Sequence, residues 1–138
     1  MAQLLRTAKE LGLPFGIREK TFNSRLAQEL GKFAEQQQKG DDYHHAVFKA
    51  YFADGLNIGL QSTLADIGAT VGLTSEAVQE VVEKRLFKEA VDNDWTRSFQ
   101  KGVNAVPTFM MNGMSLAGAQ PYEKLAQMAE THGLKKRL

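Results

Sequence analysis

The chain's 138 residues include no cysteine. That excludes disulfides, thiolate metal sites and thiol nucleophiles from its own chemistry, while a chain without thiols is compatible with any redox compartment. Proline is scarce as well, three residues in all, so each one carries positional meaning. No apolar run is long enough to span a bilayer, and the first residues lack the apolar core of a signal peptide. A cytoplasmic location is the default expectation. Charge of one sign is also lacking: 17 Lys and Arg against 16 Asp and Glu leave a net charge of +1, which argues against nucleic acid or a membrane as partner. No Gly-rich phosphate loop follows a strand, and no internal repeat or low-complexity segment is present.

Residues able to carry chemistry are few. His44 and His45 are adjacent on a predicted helix, so they point about 100° apart and cannot ligate one metal together from that helix. His132 suits the C-terminal end of the last helix, where a cation meets the negative end of the dipole. Asp92 and Asp94 lie two residues apart on a helix, which separates their directions and does not suit an acid-base pair. No metal and no cofactor is expected, and no catalytic residue is assigned. Trp95 shares an apolar stripe with Val91 and Phe99 and reads as core. The tail Lys135-Lys136-Arg137 reads as solvated.

Most of the chain has helical periodicity. Leu4, Leu5, Ala8 and Leu11 share one face of a predicted helix over 2–12, stopped by Gly12; 15–21 reads as a loop. Asn23 or Ser24 is expected to cap a helix reaching about Gln38, with Leu26, Leu30, Phe33 and Ala34 inward. Asp41 or Asp42 is expected to cap the next, which reaches about Ala53. Its aromatic density, Tyr43, Phe48, Tyr51 and Phe52 beside Val47, predicts the centre of the helical core. Ser62 is expected to cap a helix with Leu64, Ile67 and Val71 inward, closed by a left-handed Gly72 with Leu73 as its apolar contact. Thr74 or Ser75 opens another, with Val78, Val81 and Val82 buried. A break near Arg85 precedes the last stretch to Lys101.

After Gly102 the period changes. Thr108–Met111 and Met114–Ala117 are short apolar segments around Asn112-Gly113, a strong two-residue hairpin signal because both turn positions need positive φ. Pro107 stands at the mouth of the first strand, a place for a residue that donates nothing to a ladder. Pro121 suits the first turn of a final helix with Tyr122, Leu125, Met128 and Ala129 inward. Alternation puts Met110 and Met111 on opposite faces, so one of them faces away from that helix.

Gly102-Val103-Asn104-Ala105-Val106-Pro107-Thr108-Phe109, the hairpin at Asn112-Gly113, and Gly118-Ala119-Gln120-Pro121 before a helix together resemble the C-terminal end of DsbA-like proteins of the FrnE type, with Ala117 where the family has a serine. Thr21-Phe22-Asn23-Ser24-Arg25-Leu26-Ala27, Val47 through Gly55, and Leu64 through Leu73 resemble that family's helical insertion. The resemblance covers nearly the whole chain. It implies a helical domain over 1–101 and, over 102–138, a thioredoxin-like remnant made of a cis-proline loop, a hairpin and a helix. The fold class is thus mainly α, a helical bundle followed by a β-hairpin and a helix. The family's first strand, Cys-x-x-Cys helix and second strand belong before the insertion; here Met1 and a few helix-forming residues stand there, so a truncated domain is expected.

By resemblance, Val106, Pro107 and Thr108 form the substrate side of a thiol-disulfide oxidoreductase, open to an extended peptide or thiol substrate. Without cysteine the chain alone is expected to be inactive in that exchange, which requires an attacking thiolate. Two other readings stay open: the glutathione-handling branch of kappa-class transferases and hydroxychromene carboxylate isomerases, and a helical interaction module without chemistry. An isolated hairpin is marginal in water, and a helix covers a face without satisfying a strand edge. A homodimer, or another chain completing the sheet, is therefore expected.

Overall fold

The computed structural model describes residues 2–135. Six α-helices come first: α1 (Ala2–Glu10), α2 (Arg25–Gln36), α3 (Gly40–Phe48), which widens into a π-turn over Lys49–Ala53, α4 (Gln61–Thr70), α5 (Ser75–Glu83) and α6 (Lys88–Gln100). Strands β1 (Thr108–Met111) and β2 (Met114–Ala117) form an antiparallel hairpin, followed by α7 (Tyr122–Thr131). The architecture is the mainly α bundle, hairpin and closing helix that the periodicities predict. The chain divides into two compact units between Asn93 and Asp94.

The first unit has one core. Leu30 and Ala34 of α2, Tyr43 and Val47 of α3, Leu64 and Ile67 of α4, Leu73, and Val78, Val81 and Val82 of α5 are all buried in a single cluster. Each large side chain withdrawn from water there contributes about 1.5 to 3 kcal/mol of transfer free energy. The turn from α4 to α5 forms as its local chemistry dictates. Gly72 sits at φ 74°, the Gly72 and Leu73 N–H groups donate to the Ala69 and Gly68 carbonyls at 3.0 and 2.9 Å, and Leu73 goes into the core. Only glycine takes that backbone conformation without a Cβ penalty. Thr74 then caps α5 by accepting from the Ala77 N–H at 3.3 Å.

Several local expectations are corrected. Helix α3 begins at Gly40 with Lys39 at its N-cap, which moves Asp41 and Asp42 into the first turn; there they favour the dipole without capping. Ser62 lies inside α4, whose N-cap is Leu60. Of the two caps expected for α2, Ser24 holds the cap position without a side-chain cap bond, its hydroxyl accepting from Gln28 Nε2 at 2.9 Å, while Asn23 Oδ1 accepts from the Arg25 N–H at 2.8 Å. Of the stripe expected on α1, Ala8 is buried, while Leu4 and Leu11 are exposed.

Phe48 and Phe52 are not core: both are exposed. Tyr43, Val47 and Ala50 keep the i, i+4, i+7 stripe and are buried, and Phe48, one residue past Val47, points about 100° away. The π-turn is held at its end by the loop before α2. Gly16 N–H donates to the Phe52 carbonyl at 2.7 Å, and the Arg18 guanidinium donates to the Tyr51 carbonyl while lying over the Tyr51 ring at 3.9 Å. Arg18 is thereby buried.

A buried carboxylate ties the ends of three segments together. Glu29, fully buried on α2, accepts from Arg25 Nε at 2.8 Å and from Arg85 Nε and Nη2 at 2.7 and 2.6 Å. Arg85 reaches it from the break between α5 and α6, where its φ is 53°. Arg25 also bonds Asp92 of α6, which Lys88 Nζ joins at 2.9 Å. The hydrogen bonds from Arg85 and then Arg25 hold the Glu29 carboxyl below the usual range, against the opposing effect of burial.

In the second unit, Met128 of α7 is buried, with Leu125 and Ala129 half-buried beside it; Tyr122, expected inward, is exposed. Trp95 and Phe99 correct the expectation of core. They are 58% and 79% exposed, so their stripe has the spacing of a buried face without the burial. Among the described residues no helix is long and apolar enough to cross a membrane.

Candidate substrate-side loop and strand edge

Helix α6 ends in a left-handed Gly102, whose N–H donates to the Phe99 carbonyl at 2.9 Å, while the Val103 N–H donates to the Ser98 carbonyl at 3.0 Å. That closure turns the chain back into Val103–Val106, and the Val106–Pro107 peptide is cis. The Thr108 hydroxyl donates to the Ala105 carbonyl at 2.6 Å, tying the first residue of β1 to the loop. The Pro107 carbonyl accepts from the Gly118 N–H at 2.7 Å, which extends the hairpin ladder by one pair on the side facing β2.

Register decides which backbone groups remain available. Thr108 faces Ala117, Phe109 faces Leu116, Met110 faces Ser115 and Met111 faces Met114 across Asn112-Gly113, at φ 44° and 84°. In a two-residue hairpin the closing pair is hydrogen-bonded and the pairs alternate outward. Phe109 and Met111 therefore point their N–H and C=O at β2, whereas those of Thr108 and Met110 point to the outer edge of β1. Among the described residues the sheet has two strands, so this edge carries no neighbour. Two residues before the strand, Val106 is 87% exposed, and among the described residues no backbone group bonds its N–H or C=O.

The hairpin's two faces differ as alternation requires. Phe109, Met111, Met114 and Leu116 share one face, and small hollows bring Met111 and Leu116 together with Met128 of α7. Met110 and Ser115 take the other, where Met110 is exposed. Of the two methionines, Met111 is half-buried and Met110 is the more exposed.

Val106, Pro107 and Thr108 therefore stand together at the mouth of β1. Sequence reasoning missed what flanks them. An open groove of about 830 Å³ runs beside Val106, lined by Trp95, Phe99, Val103 and Ala105 among others. The spacing of Trp95 and Phe99, one turn apart on α6, was visible in the sequence, but that spacing alone does not distinguish a groove wall from core. His44 and His45 lie on α3, in the first unit. Among the described residues no group of three or more His, Asp or Glu could hold a metal. His132 Nδ1 lies 2.7 Å from the Met128 carbonyl at the end of α7.

Comparison with known proteins places this geometry. The family model of the DSBA-like thioredoxin domain matches residues 1–130. The uncharacterized protein YwbO of Bacillus subtilis (strain 168) is 30% identical over 95 residues, covering 68% of this chain and 48% of that protein. The chain thus spans about half the length of the curated relative it matches. Among solved structures, a probable DsbA oxidoreductase from Streptomyces coelicolor superposes with a TM-score of 0.83 at 22% identity, over 99% of this chain and 61% of that one. A 2-hydroxychromene-2-carboxylate isomerase superposes with a TM-score of 0.77 at 20% identity, over 96% of this chain and 63% of that one. At these identities the likeness to the two structures is one of fold.

Proposed function

The chain belongs to the DSBA-like thioredoxin domain family, and we propose that within it these residues form the substrate-holding part of a protein-disulfide oxidoreductase of the FrnE type. In this reading Val106, Pro107 and Thr108 receive an extended polypeptide, which pairs with the Val106 backbone and continues along the outer edge of β1. The observation that carries it is that edge: the backbone groups of Thr108 and Met110 point outward, and Val106, two residues before the strand, is exposed. Strand addition supplies main-chain hydrogen bonds in register, whatever the incoming sequence. Pro107 fits such a junction, since it has no N–H and its carbonyl is already taken by Gly118. Disulfide exchange itself needs an attacking thiolate, which these 138 residues do not contain. The role proposed for these residues is to hold substrate.

An open edge also suits a second copy. We expect β1 to pair with its own symmetry mate across a two-fold axis when no peptide is present, the simplest closed assembly. The glutathione-handling reading is favoured by the fold shared with the isomerase; it predicts a shift at residues other than the β1 edge when glutathione is added.

The test is an amide-resolved NMR titration with an extended, alternating apolar peptide whose cysteine is alkylated. Saturable shifts confined to Val106, Thr108, Met110 and their neighbours are expected. Unchanged amides along β1, or shifts caused by glutathione and not by peptide, would overturn the proposal.

A further inference from the structure

The π-turn in the first unit builds a second site, unrelated to the β1 edge. Between the start of α2 and the α3–π-turn segment lies a concave groove of about 440 Å³, within the range of small-molecule sites. Its walls are largely rings: Phe22, Tyr43, His44, Phe48, Tyr51 and Phe52. Val47 and Ile58 add to the apolar lining, and Thr21, Ser24 and Gln28 place hydroxyl and amide groups along one side. No carboxylate, lysine or arginine lines it. Its one ionisable base, His44, already faces Glu35 Oε1 at 3.4 Å, so a charged ligand would lose its hydration without gaining an unshared counter-charge, and a groove of that composition takes a neutral one.

The rings are arranged to receive a plane. Tyr51 meets Phe22 and Phe52 edge-on, at interplanar angles of 80° and 87°, and Phe48 meets Phe52 tilted at 50°. In the two edge-on pairs the edge of one ring rests on the face of the other, whereas Phe48 meets Phe52 only at a tilt and is the most exposed ring of the wall. Phe48 and Phe52 are also exposed, a cost that a bound apolar group would remove.

The wall is held in place from behind. The Arg18 guanidinium packs on the Tyr51 ring and bonds the Tyr51 carbonyl, and Gly16 N–H bonds the Phe52 carbonyl. On the opposite wall the Tyr43 hydroxyl donates to the Ala27 carbonyl at 3.2 Å. A preformed wall avoids the ordering cost that a mobile aromatic cluster would incur on binding. The π-turn also matters directly, since the extra residue in its turn sets Tyr51 and Phe52 apart from the regular α3 stripe.

We propose that this groove binds a neutral, planar aromatic small molecule, stacked against Phe48 and packed beside Tyr51 and Phe52, with its polar edge toward Ser24 and Gln28. The test uses N-phenyl-1-naphthylamine, a neutral fluorescent probe, with the full 138-residue chain. Saturable one-to-one binding with enhanced emission is expected. Phe48→Ala, at an exposed ring whose loss leaves the core intact, should weaken it at least tenfold with an unchanged circular dichroism spectrum. Ser24→Phe, which fills the groove from the other wall, should abolish it. Trp95→Ala, in the groove beside Val106, should leave it unchanged. Non-saturable binding, or binding lost with Trp95→Ala and kept with Phe48→Ala, would overturn the proposal.

Discussion

The two units of this chain spend their apolar residues differently. Up to Asn93, helices of ordinary length bring Leu30, Tyr43, Leu64 and Val78 to essentially complete burial in one cluster. From Asp94 onward, Met128 is buried while Trp95, Phe99, Val106 and Met110 are exposed. Both regions have amphipathic periodicity. The difference is that in the first unit each stripe meets another, whereas a two-stranded hairpin and one helix offer too few faces to close around a core. Amphipathicity states that a face wants cover; it does not state that the cover is in the same unit.

That contrast can be broken from either side, and the largest effect is expected in the first unit. Leu64→Ala removes a fully buried side chain from the centre of the cluster and should cost about 2 to 5 kcal/mol, the range for a truncated core leucine. Urea unfolding followed by circular dichroism at 222 nm measures it. A loss below 1 kcal/mol would mean that the helical core is far looser than its burial indicates.

The next effect is ionic. Glu29→Gln keeps the shape and removes the charge that Arg25 and Arg85 share. Breaking a buried pair costs about 3 to 5 kcal/mol, and because Arg25 and Arg85 keep part of their surface in water about 2 to 3 kcal/mol is expected here. The same carboxylate sets a pH dependence. Its pKa is lowered in the folded chain, so its stabilising contribution is fully present above the ordinary glutamate range and is lost as pH falls through the depressed folded value. Wild type should lose stability on acidification more steeply than Glu29→Gln. Parallel profiles in urea between pH 7 and pH 3 would show that the triad is energetically silent.

The smallest effect sharpens the comparison. Trp95 is more than half exposed, so Trp95→Ala should change stability by no more than about 0.5 kcal/mol in dilute solution, as for an ordinary surface substitution. If two copies pair through the second unit, the same substitution should instead shift the monomer–dimer equilibrium seen by sedimentation equilibrium at micromolar concentrations. A large loss of stability with a concentration-independent molecular mass would mean that Trp95 is core after all.

The residues show where local chemistry suffices. The hairpin is legible in Asn112-Gly113 between two four-residue apolar runs, and the α4–α5 turn in Gly72-Leu73-Thr74, because each depends on φ preferences and hydrogen bonds within a few residues. At the candidate loop, Val106-Pro107-Thr108 is recognisable in the sequence, while the openness of the β1 edge follows from register.

What the sequence by itself determined is this set of short-range decisions: helix spans, the hairpin and its turn, the absence of thiol chemistry, and likeness to a known family. Tertiary structure alone decided which members of equivalent patterns go inside. Glu29 and Glu35 are both glutamates on α2, yet Glu29 is buried because Arg85, 56 residues away, arrives beside it. Phe48 and Val47 are neighbours in one apolar helix, yet Val47 is core and Phe48 lines a groove. Burial is a property of what packs opposite, and a contact made across more than fifty residues leaves no period in the chain for a reader to find.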